Sequence, residues 1–133
     1  ARNTAARAQP GLESIESTIR AYLGLALDDA IPTRAMNVLW SESVSSTPAL
    51  LAAVRDSNRI YLDRFESHIR AGIRRGELDP QTDAASLAVL ILALLRGLAS
   101  QQLLEPNAVD LQRLAQTAIG FVRQATAPSR KLE

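Results

Sequence analysis

Cysteine is absent from this 133-residue chain, and histidine occurs once. The first absence removes disulfides, thiolate metal sites and cysteine nucleophiles, and it accords with a reducing compartment. The second leaves no pair of imidazoles for a zinc site, and the residue three before His68 is Phe65, where a helical di-iron motif needs glutamate. No glycine-rich phosphate loop occurs, and no serine sits in a nucleophile elbow. A Ser-His-Asp arrangement would rest on His68 alone. The expectation is therefore a protein that is not an enzyme and carries no metal and no cofactor. Charge of one sign is also missing: 15 Lys and Arg face 14 Asp and Glu, a net charge of +1. That is not the clustered basic footprint of a nucleic-acid surface. Lys131 is the only lysine, so arginine supplies nearly all the positive charge. Alternating β-branched runs and Asn-Gly or Asp-Gly hairpin signals are absent, which removes strands. The first residues are polar with no apolar run behind them, so no signal peptide is expected and the location is cytoplasmic.

Long uninterrupted apolar runs are scarce too. The greasiest stretch, "TDAASLAVLILALLRGLAS" at 82–100, is free of charge only between Asp83 and Arg96. Those roughly 12 residues span about 18 Å of helix at ~1.5 Å each, short of a bilayer core about 30 Å thick. Past Arg96 come Ser100, Gln101, Gln102 and Glu105. The stretch is read as a buried helix, with no membrane partner.

What is present is helical periodicity, and it gives an all-α chain of five helices behind an N-terminal stub. Residues 1–10 form the stub or linker, 11–127 the helical domain, and 128–133 a frayed tail whose Leu132-Glu133 resembles a cloning scar. The first helix follows Pro10-Gly11 with Leu12, Ile15, Ile19, Tyr22, Leu23 and Ala26 on one stripe. Glu16 and Arg20 are ordered for an i,i+4 pair. Asp28, Asp29 and Pro32 close it. A short second helix starts near Pro32 with Met36, Leu39, Trp40 and Val44 on its apolar side, and "SVSSTP" breaks it. The third is long, capped by Thr47 with Pro48 in its first turn. Its face runs through Leu51, Val54, Asn58, Tyr61, Phe65, His68 or Ile69, and Gly72 or Ile73. Arg74 and Arg75 suit its C-terminal dipole, and Gly76 its left-handed cap. Asp79, Thr82 and Asp83 compete to cap the fourth helix, which ends before Pro106. The fifth begins at Asn107, repeats Leu111, Leu114, Ala118, Phe121, Val122 and Ala125 like a heptad, and stops at Pro128.

The fourth helix reads as two-sided. Leu87, Ile91, Leu94, Leu95 and Leu98 make a wide aliphatic face for the core. Ser86, Val89, Ala93, Arg96, Gly97 and Ser100 make a second side, small and mildly polar, with one charge where a solvent face would hold several. Gly97 costs about 1 kcal/mol of helix propensity relative to alanine, which asks for a packing reason. One reason is a tight crossing inside the chain. The more economical one is that the fourth and fifth helices pair with the same helices of a second copy as a symmetric four-helix bundle. The homodimer interface expected on this reading is Ser86, Ala93, Gly97, Ser100, Leu111, Leu114, Ala118 and Val122. Ile119 and Val122 give the fifth helix its own second apolar edge.

The segment "IRAGIRRGELDPQTDAASLAVLILALLRGLASQQLLEP" resembles the C-terminal regulatory domain of tetracycline-repressor (TetR) family transcription factors. The shared pattern is a long helix ending in "RRGEL", a short "DPQTD" link and an apolar helix with "RGLASQQLL"; the segment around Trp40 fits as well. The resemblance runs from about Leu12 to Ala125. It implies an effector-binding and dimerisation domain of a transcriptional regulator. The helix-turn-helix with which family members begin is missing, and nothing in residues 1–11 serves as a recognition helix. Binding to DNA is thus expected only through a domain cut or lost from this chain. The resemblance also implies a small hydrophobic effector in a mostly apolar pocket with a few polar anchors. The scarce aromatics fall mainly in the first three helices, so Tyr22, Met36, Trp40, Tyr61, Phe65 and His68 are the ligand-binding candidates. Trp40 stands out because it sits beside a serine-rich break. Arg96 is expected to pair with a carboxylate of its own or of a second chain, with an anionic ligand as its other use. The alternative is a purely structural dimerisation module, which would show a filled core and no cavity.

Overall fold

The computed structural model describes residues 11–28, 30–45 and 48–129. The N-terminal stub, Asp29, the Thr47 cap and residues 130–133 of the tail lie outside the described residues. The fold is all-α. Five helices follow in order, α1 (Leu12–Asp28), α2 (Ala30–Ser45), α3 (Pro48–Arg74), α4 (Ala84–Leu104) and α5 (Leu111–Thr126), with no strand among the described residues.

α1 buries the stripe its periodicity predicts. Ile15, Ile19, Leu23 and Ala26 enter the core with Phe65 and Ile69 of α3. α4 packs between α3 and α5, and α1 crosses to meet α5. Glu16, buried on α1, meets Arg123 of α5, while its i,i+4 partner Arg20 stands 3.9 Å away. The expected local pair is thus secondary to a tertiary one.

The "RRGEL" turn ties three helices together. Gly76 adopts φ +75°, the left-handed conformation that closes α3. The Glu77 and Leu78 amides donate to the Gly72 carbonyl at 2.9 and 3.3 Å. Glu77 Oε2 then accepts the Leu12 amide at 2.9 Å, capping the start of α1, and Oε1 meets Arg75 Nε at 3.1 Å. Leu78 lies over Gly72, where a Cβ would come within 2.9 Å of its side chain. One residue on, the Asp79 amide donates to the Thr126 carbonyl at 2.8 Å and anchors the end of α5.

The caps resolve as carboxylates. Asp83 caps α4 by accepting the Ser86 amide, and Asp79 instead turns back on the Gln81 amide. Hydrogen bonds from the Ser86 hydroxyl and amide hold the Asp83 carboxyl below the usual range, against a weaker opposing effect of desolvation. The fifth helix starts later than expected. Asp110, not Asn107, accepts the Gln112 and Arg113 amides, and residues 105–109 form a turn closed on the Glu105 carbonyl.

α2 departs from the simple bundle. Among its described side chains only Ser43 is buried. Ile31, Met36, Val38, Leu39 and Val44 are exposed. The helix lies against α3, α1 and α4 without entering the core.

α4 is long and apolar enough, by length and composition, to cross a membrane, yet it is built into the bundle. Its inward face differs from the expected one. Ala84, Ala88, Ile91, Leu92, Leu95 and Ala99 are buried, Leu87 and Leu98 are half-buried, and Leu94 turns outward. With apolar residues on every side of the helix, its own sequence does not choose a core face; packing against α1, α3 and α5 does.

Candidate functional site

A cavity of about 560 Å³ opens between α2 and the rest of the bundle. α1 supplies Tyr22, Leu25, Ala26 and Asp28 from its last two turns. α2 supplies Pro32, Thr33, Met36, Asn37 and Trp40. Ser57 and Tyr61 come from α3, and Arg96 and Ala99 from α4. The volume lies within the ordinary range for a small-molecule site, and so does the mixture of aliphatic and aromatic wall with a few polar groups.

The space exists because α2 is held off the core by side chains that bridge rather than fill. The Ser100 hydroxyl of α4 donates to Asn37 Oδ1 at 2.6 Å, and Asn37 Nδ2 donates to the Thr33 carbonyl at 3.0 Å. Arg96 of α4 reaches under α2, its Cζ 2.9 Å from the centroid of the Trp40 ring. That is a cation–π stack. Tyr22 and Tyr61 meet edge to face across the floor, with centroids 5.6 Å apart and planes at 79°.

The electrostatics follow from this arrangement. Burial draws the Arg96 guanidinium down to about 10, the nearby Tyr22 and Tyr61 acting the other way. It remains protonated at neutral pH. Burial pushes the Tyr22 hydroxyl up, and Arg96 opposes that shift. No carboxylate pairs with Arg96 among the described residues, so no ion pair is formed within the chain. Arg96 Nε and Trp40 Nε1 are both buried without a hydrogen-bond partner. Buried polar groups are normally satisfied, and two unsatisfied donors at one cavity wall invite an acceptor.

Four of the six residues expected to contact a ligand line this cavity: Tyr22, Met36, Trp40 and Tyr61. Two do not. Phe65 is fully buried in the core, because its position on α3 points at α1 and α4. His68 is half-buried on α3 outside the cavity; burial, then the neighbouring Arg64, lower its pKa. Sequence reasoning missed Asn37, Ser57 and Ala99 as wall residues and placed Arg96 on a dimer face. The signal for Arg96 was visible, a lone cation on an apolar helix, but not its neighbour.

A second surface lies on α4 and α5. Leu90, Ala93, Leu94, Gly97 and Leu104 are exposed on one side of α4, and Phe121 is 68% exposed on α5. Ala93 and Gly97 lie where a dimer face was expected, and Leu114 is half-buried beside them. Others of that set are engaged within the chain. Leu111 and Val122 belong to the core, with Ile119, so they lie on the inward edge of α5 and not on the expected interface. Ala118 is buried at the margin, Ser100 holds Asn37, and Ser86 serves the Asp83 cap. Apart from the backbone of its own helix and its chain neighbours, no atom of the described residues lies within 4 Å of where a Cβ on Gly97 would sit. A tight crossing inside the chain therefore does not explain this glycine.

No curated protein and no solved structure matches the chain. The family model of BetI-type transcriptional repressor C-terminal domains matches residues 11–127. That span takes in all five helices, the "RRGEL" turn, the cavity and the outward face of α4 and α5, and the chain belongs to this TetR-type family of repressor C-terminal domains.

Proposed function

We propose that this domain is the effector-binding and dimerisation part of a cytoplasmic transcriptional regulator, and that it has no catalytic activity. A small, largely hydrophobic molecule occupies the cavity. DNA contact is made by a helix-turn-helix of the intact regulator, whose operator affinity the effector controls. The observation that carries this reading is the cavity: a structural dimerisation module has no use for a space of about 560 Å³ walled by aromatics beneath a helix that, among its described residues, buries no apolar side chain.

Self-association runs through the outward face. On α4, Leu90, Leu94 and Gly97 share one side; on α5, Leu114, Phe121 and Ala125 recur at seven- and four-residue steps, which keep them on one side of a helix. Two copies related by a twofold axis bring four helices together there and cover the apolar surface. Gly97, open within one chain, is where the partner helix approaches.

Trp40 is the only tryptophan, so its fluorescence reports the cavity directly. Titration with a diverse set of hydrophobic compounds is expected to shift that emission and raise the melting temperature for a subset of them. Silence across the whole set, in both readouts, would return the domain to a structural role.

A further inference from the structure

We propose that the effector is an organic anion, an apolar body carrying a single carboxylate-type head, and that Arg96 is the residue that selects it. This deepens the reading of the cavity as an effector site and rests on it.

Among the described residues that line the cavity, Arg96 is the one cation. Among the described residues its charge has no carboxylate partner, although a partly buried guanidinium is costly unless paired. Asp28 shares the wall but is exposed at the end of α1 and makes no salt bridge to Arg96. Arg96 is instead parked against the Trp40 ring, and its Nε and the indole Nε1 beside it both lack acceptors. One oxyanion seated there satisfies both donors. It also turns an uncompensated charge into a charge-assisted pair, in the geometry that suits a planar guanidinium. The tyrosine hydroxyls of Tyr22 and Tyr61 stand near enough to Arg96 to influence its charge, and they offer further donors to the same head. The remaining wall, with Leu25, Met36 and Ala99, suits an uncharged apolar body.

The aromatic ring set resembles the cages that hold quaternary ammonium groups, so a cationic ligand is the natural competitor. The structure argues against it. One face of Trp40 is already covered by a guanidinium at 2.9 Å. A second positive charge would meet repulsion inside a partly desolvated space.

Three probes with one alkyl body separate the possibilities: octanoate, octanol and octyltrimethylammonium, titrated into the chain while following Trp40 fluorescence and heat of binding. Octanoate is expected to bind at least about tenfold tighter than octanol, the scale of one charge-assisted hydrogen bond. Arg96→Gln is expected to abolish the difference in affinity between octanoate and octanol. Arg96→Lys, which keeps the charge without the fork, retains part of the preference. The octanol titration and a thermal melt show that each variant keeps its fold and its cavity. Equal binding of octanoate and octanol, tighter binding of the ammonium, or a carboxylate preference that survives Arg96→Gln each overturns the inference while leaving the effector site intact. Failure of all three probes to bind the unsubstituted chain overturns the inference together with the cavity reading on which it rests.

Discussion

Glycines at three helical positions should respond to alanine with opposite signs, and the structure says which. At Gly72 a Cβ falls 2.9 Å from both Cγ and Cδ1 of Leu78, against an ordinary carbon contact of about 3.5–4.0 Å. Leu78 is fully buried, so it has no solvent into which to swing. It must shift by roughly 0.6–1 Å, and overpacking of this kind costs about 1–3 kcal/mol. The gain in helix propensity returns about 1 kcal/mol, which leaves Gly72→Ala destabilised by about 0–2 kcal/mol. At Gly24 and Gly120 nothing lies within 4 Å, so Gly24→Ala and Gly120→Ala keep the propensity gain of about 1 kcal/mol without an offset. The quantity to measure is the gap between the first variant and the other two, about 1–3 kcal/mol. That corresponds to roughly 4–10 °C of melting temperature for a chain of this length. Thermal melts at one fixed protein concentration give it directly. In a Leu78→Ala background the Gly72→Ala change should become stabilising, because the clash has gone. Three variants melting together, or a Gly72→Ala penalty unchanged by loss of the Leu78 side chain, would refute the packing account of the "RRGEL" turn.

Other outcomes follow from contacts of the same kind. Arg123→Ala leaves the buried Glu16 carboxylate with only Arg20 at 3.9 Å; since Arg123 itself is largely exposed, the expected loss is about 1–3 kcal/mol by denaturant melt, between surface and buried pairs. Asp83 has its folded pKa depressed by Ser86. Its contribution is therefore complete above the ordinary carboxylate pKa of about 3.9 and fades as pH falls through the lower folded value. The advantage of the unsubstituted chain over Asp83→Asn should shrink in acid, and an advantage constant down to pH 2 contradicts the charged cap. Phe121→Glu places a carboxylate on the most exposed aromatic of the α4–α5 face. It should move the sedimenting species to the 14.4 kDa single chain without loss of helical circular dichroism. Phe65→Ala should cost about 3–5 kcal/mol with little change in octanol affinity at temperatures where the fold persists, since Phe65 sits in the core and not at the cavity.

Much of the fold was legible where one helix face is apolar and the other charged. Ile15, Ile19 and Leu23 on α1, and Phe65 and Ile69 on α3, enter the core because Glu13, Arg20, Arg64 and Arg70 fix the opposite sides in water. α4 gave no such contrast, which is why Leu94 was assigned inward and Leu92 was not. On α5 the sequence offers two overlapping stripes. Leu111, Ala115, Ile119 and Val122 face the core, while Leu114 and Phe121 face out; apolarity alone does not rank them. The Gly72 contact was invisible because its partner arrives through a turn, not through helical spacing. Trp40 and Arg96 illustrate the same limit at the cavity. Each is conspicuous in the sequence, but that one lies over the other is a consequence of how α2 rests on α4, and periodicity within a helix carries no information on that.

Arg96 and Gly97 are neighbours in sequence, and their roles divide because a helix turns about 100° per residue. Arg96, with Ala99 and Ser100, faces α2 and the cavity; Gly97, with Leu90 and Leu94, faces away from the chain. α4 is therefore a shared wall between the proposed effector site and the proposed seam. α1 has the same double character along its length. Tyr22 and Asp28 wall the cavity near its end, while its first amide is held by Glu77 in the turn that also anchors Leu78 on α3. On the proposed reading, a ligand that draws Arg96 from Trp40 acts on α4 directly and on α2, which among its described residues has no apolar side chain in the core. Any free energy that the ligand adds to one arrangement of α4 at the seam must reappear, by linkage, as a dependence of ligand affinity on self-association. The two properties assigned to this domain are thus expected to be one coupled equilibrium, read at adjacent residues of a single helix.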